Sequence, residues 1–237
     1  MSFFDTFMDR LSRLFTPIHP DGHRFIAIAV VVTLVLLLIS DTLGWLAIAI
    51  TAWLIFFFRD PERVVPLREG LIVSPADGTV MSIDEVTPTS ELELGVDSYL
   101  RVAIHLSLFD MHIQRVPLAG TLVHAVYMPG TFASTRREKA HEDNERNAST
   151  FETGDGLRVA VVQIAGGVRR RIVALCAEGA RLGTGERLGL IRFGSRVDLY
   201  VPQDVGVLVA VGQTMVAGET VIADLKSDEQ ERGARAV

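Results

Sequence analysis

The chain has 237 residues, of which 49% are apolar and 22% charged, enough to bury a packed core for one ordinary domain with an appendage beside it. A formal net charge of -6 argues against a nucleic-acid partner, whose footprint is usually basic. A single cysteine, Cys176, excludes an internal disulfide and fits a reducing compartment; within the apolar run IVALCA it reads as a small core residue.

In chain order, TFMDRLSRLF comes first and spaces Phe7, Leu11, Leu14 and Phe15 as one helical face, which predicts a segment lying on a membrane surface. Two apolar runs follow, FIAIAVVVTLVLLLI from Phe25 to Ile39 and LGWLAIAITAWLIFFF from Leu43 to Phe58, parted by the polar SDT. As helices of about 15 residues each reaches about 22 Å, short of the roughly 30 Å of a hydrocarbon core. The pair therefore predicts a helical hairpin that dips into the bilayer, or two short spans helped by local thinning. Nearly every face of both runs is apolar, which favours lipid over a soluble core. A second run directly after the first, with no small-residue cleavage site between them, argues against a secretory signal. Arg10, Arg13 and Arg24 precede the pair and Arg59, Arg63 and Arg68 follow it, so both ends are expected on the cytoplasmic face of the cell membrane.

From Val64 the pattern changes to short β-branched runs punctuated by Gly, Pro and Asp. Strands are predicted at LIVS, GTVMSIDEV, YLRVAIHL, GTLVHAVYM, LRVAVVQIA, RRIVALCA, LGLIRFG, RVDLYV, GVLVAV and TVIADL. The polar STRREKAHEDNERN reads as a loop with a little helix, and the tail KSDEQERGARAV as a fraying end. The expected fold is mainly β. A membrane-associating helical segment, residues 1–63, precedes a single β-rich domain of several short sheets, residues 64–237. The stretch VGVLVAVGQTMVAGETVIADL resembles the half-barrel of lipoyl or biotinyl carriers and makes the fold partly lipoyl- or hammerhead-like. It lacks the carrier lysine on its turn, since Lys226 follows the last strand.

The stretch LIRFGSRVDLYVP places Ser195 in register with Ile191, Phe193, Val197, Leu199 and Val201, one hydroxyl on an otherwise apolar strand face, with Gly194 directly before it. Three readings are open from these residues. Gly-Ser can be a β-bulge in which serine satisfies a backbone group. Ser195 can be a hydrolase nucleophile, although FGSRV is not a G-x-S-x-G elbow. Or the hydroxyl can attack the carbonyl before it and break the chain, leaving a pyruvoyl group; glycine tolerates the strained backbone that this requires.

Five segments in order resemble the short bacterial form of phosphatidylserine decarboxylase: the apolar pair ending FFFRDPER, then VSPADGTV, LSLFDMHIQRVPLAG, YMPGTFASTRREKAHEDNERN and RFGSRVDLYVP. The resemblance runs from about Arg24 to about Leu225. It implies self-cleavage between Gly194 and Ser195 into a large and a small subunit. Ser195 would become a covalent pyruvoyl cofactor, and its ketone would form a Schiff base with the amine of phosphatidylserine. Loss of carbon dioxide would give phosphatidylethanolamine. The longer form of the family uses an Asp–His–Ser relay, and the aspartate matches Asp77. Of its two histidines three residues apart, the first matches His112, but the second position is Arg115, which cannot act as a base at neutral pH. His112 is therefore the expected base and proton donor, with His105 and His141 as the other candidates.

The same resemblance implies a phospholipid substrate held at a membrane and no nucleic acid. A dimer is compatible with a membrane-docked β-domain. No metal site is expected, because the six histidines are scattered without ligand spacing. Clustered cations in STRREK and VRRRIV suit phosphate or anionic lipid, and the roles of Asn144, Glu145 and Arg146 stay open. A rival from another class is a non-catalytic, membrane-anchored, lipoyl-like binding or scaffold domain. Within the family, an ether-linked analogue of the lipid would present the same headgroup.

Overall fold

A computed structural model describes residues 16–130, 144–166, 172–192 and 195–227, with only the backbone of residue 195. The amphipathic segment around Phe7, the flank cations Arg10 and Arg13, His141, the STRREK cluster, the arginines of VRRRIV, Gly194 and most of the polar tail lie outside these residues. The chain divides into two compact units, 1–62 and 63–237. Arg63 goes with the second unit, one residue earlier than the sequence pattern suggested, because its guanidinium pairs with Asp77.

The first unit is a helical hairpin, α1 (Pro20–Ile39) and α2 (Asp41–Phe57). Pro20 opens α1 at a position where a missing N–H costs nothing, and the His19 ring accepts from Asp21 N–H at 3.3 Å. This start lies five residues before the apolar run. At 20 residues α1 is thus about 30 Å long, enough to cross a bilayer, where a 15-residue helix would fall short. Ser40 alone breaks the helices, with an extended backbone. Three contacts close the hairpin. A Cβ on Gly44 would lie 2.3 Å from Leu37 Cδ2, and one on Gly22 would lie 2.5 Å from Phe58 Cβ. Midway, the Thr33 and Thr51 hydroxyls bond at 2.9 Å, while Thr33 donates to Ala29 C=O. Small residues and paired hydroxyls are how helices associate in lipid.

The second unit is mainly β. Its strands are β1 (Leu71–Val73), β2 (Gly78–Val86), β3 (Tyr99–Leu106), β4 (Ile113–Arg115), β5 (Gly120–Met128), β6 (Arg146–Glu152) and β7 (Arg158–Ala165). There follow β8 (Ile172–Ala174), β9 (Arg181–Leu182), β10 (Arg187–Ile191), β11 (Ser195–Pro202), β12 (Thr214–Met215) and β13 (Val221–Asp224). An eight-stranded sheet runs β12-β2-β3-β11-β7-β6-β5-β9, beside a three-stranded β4-β10-β8 and the pair β1-β13. Every strand pairing is antiparallel.

Two predicted features differ from this. GVLVAV at 206–211 is not a strand but a segment that touches β13 through one bridge, Val207 to Ala223. Conversely β6, RNASTFE, where no strand was predicted and whose first two residues were read as the end of a loop, is a central strand buried from Asn147 to Phe151. Its polar residues find partners inside, so burial did not demand an apolar sequence.

The core forms on both faces of the sheet. Val197, Leu199 and Val201 of β11 join Val159, Val161 and Ala165 of β7 in the larger cluster, while Tyr200 joins Ala160, Val162 and Ile164 in a smaller one. The other face of β11 is buried as well: Arg196 and Asp198 are inaccessible and paired, Nη2 to Oδ2 at 2.9 Å. Burial, with the charge of Asp198 adding to it, pushes the Tyr200 phenol up to about 12. Cys176 packs against the larger cluster, and its thiol donates to Arg187 C=O at 3.3 Å.

Candidate active site

Ser195 begins β11, and its backbone is held on both sides, opposite Leu106 of β3 and Ala165 of β7. From Ser195 to Pro202 the register with β3 is unbroken. The irregularities fall elsewhere, at Ile72/Val73, Val80/Ser82, Leu122/His124 and Arg187/Gly189. The described part of the strand therefore carries no bulge.

His112 lies just before β4 and is fully buried. Its ring Nδ1 is 2.8 Å from Asp110 C=O. A carbonyl only accepts, so Nδ1 carries the proton and Nε2 is the basic nitrogen of the neutral ring. The His112 carbonyl accepts twice, from Ile191 N–H at 3.0 Å and Gln114 Nε2 at 2.8 Å. Ile191 is the last residue of β10. The short stretch between β10 and β11 is thus bracketed: one end is tied to His112, and the other is paired with Leu106 of the strand leading into the His112 turn.

Behind His112 runs a buried polar chain that the sequence did not announce. Gln114 Oε1 accepts from Gln163 Nε2 at 2.7 Å, and Gln163 Oε1 accepts from Asn147 Nδ2 at 3.1 Å. Gln114 and Gln163 are fully buried. A Cβ on Gly189 would sit 2.7 Å from Gln163 Nε2, so β10 leaves room for the amide only because that residue is glycine. A glutamine inside VAVVQIA was the available signal, since an amide is buried only when it is satisfied.

Asp77 occupies the PADG turn at the start of β2. Gly78 has φ +145, and a Cβ there would lie 2.2 Å from His105 C=O, so only glycine lets the turn meet the end of β3. Asp77 Oδ2 accepts from Arg63 Nη2 at 2.6 Å and Oδ1 from Ala217 N–H at 2.7 Å. Among the described residues no hydrogen bond joins Asp77 to His112. Their link is indirect: Arg63 Nη2 is also 3.2 Å from Met111 Sδ, next to the histidine. Burial pushes the Asp77 carboxyl above its ordinary range, with the charge of Asp110 adding to it. The Ala217 N–H and Arg63 pull the other way and do not cancel the shift.

The remaining candidates sort by their partners. Arg115 donates to Gly185 C=O at 2.8 Å, and its own N–H bonds Pro75 C=O, a clasp between β4 and the PADG turn. His105 stands opposite Arg196 in the ladder. Asn144 Nδ2 donates to Ala165 C=O at 2.8 Å and the Glu145 carbonyl accepts from Ala165 N–H at 2.9 Å, so both hold the end of β7 opposite Ser195, while the Glu145 carboxylate accepts from Ile172 N–H at the start of β8. Arg146 turns away to Glu91, with both oxygens at 3.1 Å. Two presumed flank cations are engaged inside the β-domain, Arg63 by Asp77 and Arg68 by Asp224, so they are not loose charges beside the hairpin.

The fold thus holds the backbone of a strand-opening serine and the backbone of a buried histidine on either side of one short stretch, with a carboxylate linked to the histidine segment through Arg63. The family model described as phosphatidylserine decarboxylase matches residues 50–223. A phosphatidylserine decarboxylase proenzyme of Cereibacter sphaeroides is 49% identical over 229 residues, 97% of this chain and 99% of the relative. One from Ruegeria pomeroyi is 50% identical over 210 residues, 89% and 96% of the two chains, and one from Nitrobacter winogradskyi is 47% identical over 214 residues, 90% and 87%. The chain belongs to the phosphatidylserine decarboxylase family, and it is an enzyme of the carboxy-lyase class.

Proposed function

We propose that the chain breaks itself between Gly194 and Ser195, and then decarboxylates phosphatidylserine to phosphatidylethanolamine at a membrane surface, on the cytoplasmic face. The observation that carries this reading is the bracketing of the Gly-Ser pair, with Ile191 bonded to the His112 carbonyl and Ser195 laddered to Leu106 and Ala165.

In the first reaction the Ser195 hydroxyl adds to the Gly194 carbonyl carbon, and the C–N bond breaks in favour of an ester. His112 Nε2 takes the hydroxyl proton and returns it to the departing nitrogen. Removal of the α-proton of residue 195 then expels the Gly194 carboxylate and leaves dehydroalanine. Water replaces its nitrogen, which departs as ammonia. Asp77 serves as a positioning residue, acting on the histidine segment through Arg63 and Met111.

The pyruvoyl group so formed supplies a carbonyl for the substrate's primary amine and an electron sink for loss of carbon dioxide. The surroundings fit it. The new terminus opens a strand held by two ladders, so it stays in place after the break, and its register partners Leu106 and Ala165 are buried and apolar. His112 Nε2 then holds the proton that replaces the lost carboxylate on the substrate's α-carbon. Cleavage would leave β11, β12 and β13 on the small subunit, each still paired with a strand of the large one, β3 and β7, β2, and β1.

The test is denaturing electrophoresis with mass spectrometry of the purified chain. Fragments of about 194 and about 43 residues are expected, the smaller blocked at its terminus and one ammonia lighter than a serine-ended piece. Ser195→Ala should give one uncut band without decarboxylase activity on phosphatidylserine vesicles. An uncut wild-type chain with full activity would overturn the reading.

A further inference from the structure

The residues between β3 and His112 form a tight turn whose tip is apolar and exposed. Leu108 is 46% and Phe109 70% accessible. The turn is held from below. Ser107 N–H donates to Asp110 Oδ2 at 2.7 Å, Phe109 N–H to Ser107 Oγ at 3.3 Å, and Asp110 N–H to Ser107 C=O at 3.1 Å. Asp110 has a second duty, since its carbonyl is the acceptor that sets the tautomer of His112. The turn is rooted at Leu106, the ladder partner of Ser195. Four residues thus couple an outward apolar tip to both reacting groups.

We infer that this turn is a membrane contact of the β-domain itself, with Leu108 and Phe109 entering the boundary between headgroups and acyl chains. The inference rests on the reading that the substrate is a bilayer lipid. Such a lipid leaves the bilayer only by exposing its methylenes to water, so the surface nearest the reacting group must come to the interface. Among the described residues, the 107–110 turn is an exposed apolar surface tied directly to both groups, to Ser195 through Leu106 and to His112 through Asp110. A protein partner is the weaker occupant: two side chains offer a few hundred Å2 at most, against about 800 Å2 per partner for a stable interface. Leu and Phe on a polar-rooted turn suit an interfacial anchor, in which the backbone stays satisfied while the tip partitions.

Val96 provides an internal control. It is 91% accessible and lies just before Tyr99, the opposite end of β3, about 23 Å from Leu106 along the strand. The full chain carrying Cys176→Ser receives a single new cysteine, Phe109→Cys, Leu108→Cys or Val96→Cys, and an NBD label. Each protein is bound to vesicles of phosphatidylcholine and phosphatidylglycerol with or without acyl-chain doxyl lipid. At 109 and 108, blue-shifted emission and doxyl quenching about twofold or more above that at 96 are expected. Equal, water-like signals at all three positions would overturn the inference. So would a blue shift at the tip without doxyl quenching, which would report a protein contact instead. The same preparations on a denaturing gel report self-cleavage separately, and the labels can be repeated on Ser195→Ala. Failure of the lipid contact is thereby distinguished from failure of the proposed chemistry.

Discussion

The two units use apolar residues in opposite ways. In the hairpin they face outward: Leu38 is 90%, Trp45 70% and Ile39 68% accessible, while the polar Thr33 and Thr51 turn inward to each other. In the β-domain the apolar side chains are inside, yet so are Gln114, Gln163, Arg196 and Asp198, each with its partner. Hydropathy alone describes neither unit. The hairpin is arranged for a solvent that cannot hydrogen-bond, so its few polar groups must find each other. The β-domain has its apolar side chains inside, and it keeps buried polarity where a backbone has to be held in one place.

That contrast can be broken from the inside of the β-domain first. His112→Ala should slow self-cleavage by about 100-fold or more, read as the rate at which uncut chain disappears on a gel, because a positioned base contributes on that scale. If the variant cleaves at the wild-type rate, the base is elsewhere and His105 becomes the next candidate. Next comes alkaline stability. Tyr200 has a folded pKa of about 12, against about 10 for an unfolded tyrosine. Its raised value means that the folded state holds the proton longer. Stability from this group is therefore complete below about pH 10 and falls through about pH 12, by about 2–3 kcal/mol in all. Urea melts across that range should show the loss in the wild type, and Tyr200→Phe should flatten it.

Gln163→Leu should cost about 1–3 kcal/mol in the same melts, since it leaves the Gln114 carbonyl and the Asn147 amide buried without their partner. A neutral result would mean that the chain Gln114–Gln163–Asn147 is filler and not a brace for His112. The smallest effect belongs to the hairpin. Leu38→Ser should change the β-domain midpoint by less than about 0.5 kcal/mol while lowering the fraction of protein recovered with vesicles in flotation. A β-domain destabilised by this change would show that the hairpin's outer face is not lipid-facing.

Much of the β-domain was legible because its strands carry a period. GTVMSIDEV and YLRVAIHL coincide with β2 and β3, and the parity of RVDLYV foretold which side chains of β11 meet the larger core. β6 was illegible because RNASTFE is polar, and its burial depends on acceptors supplied by β7 and the segment around Leu92. GVLVAV has the composition of a strand but only one bridge, because strand state is decided by neighbours and not by propensity. At the site, a glycine before a serine and a PADG turn could be seen as motifs, but the partner of Asp77 could not. Arg63 looked like a flank charge of the hairpin until the fold carried it to the carboxylate.

The linear order of residues determined the two-part organisation, the apolar hairpin, the mainly-β character of the remainder and the Gly194-Ser195 pair, because each is a matter of local pattern. Only the tertiary structure decided that Ile191 and Ser195 are fastened on either side of the His112 segment, that Asp77 meets Arg63 and Ala217, and that two glutamines and an asparagine brace the histidine from behind. The physical reason is distance along the chain. Those contacts join residues up to 140 positions apart, and no local propensity encodes which of many available donors and acceptors a folded sheet will bring within hydrogen-bond distance.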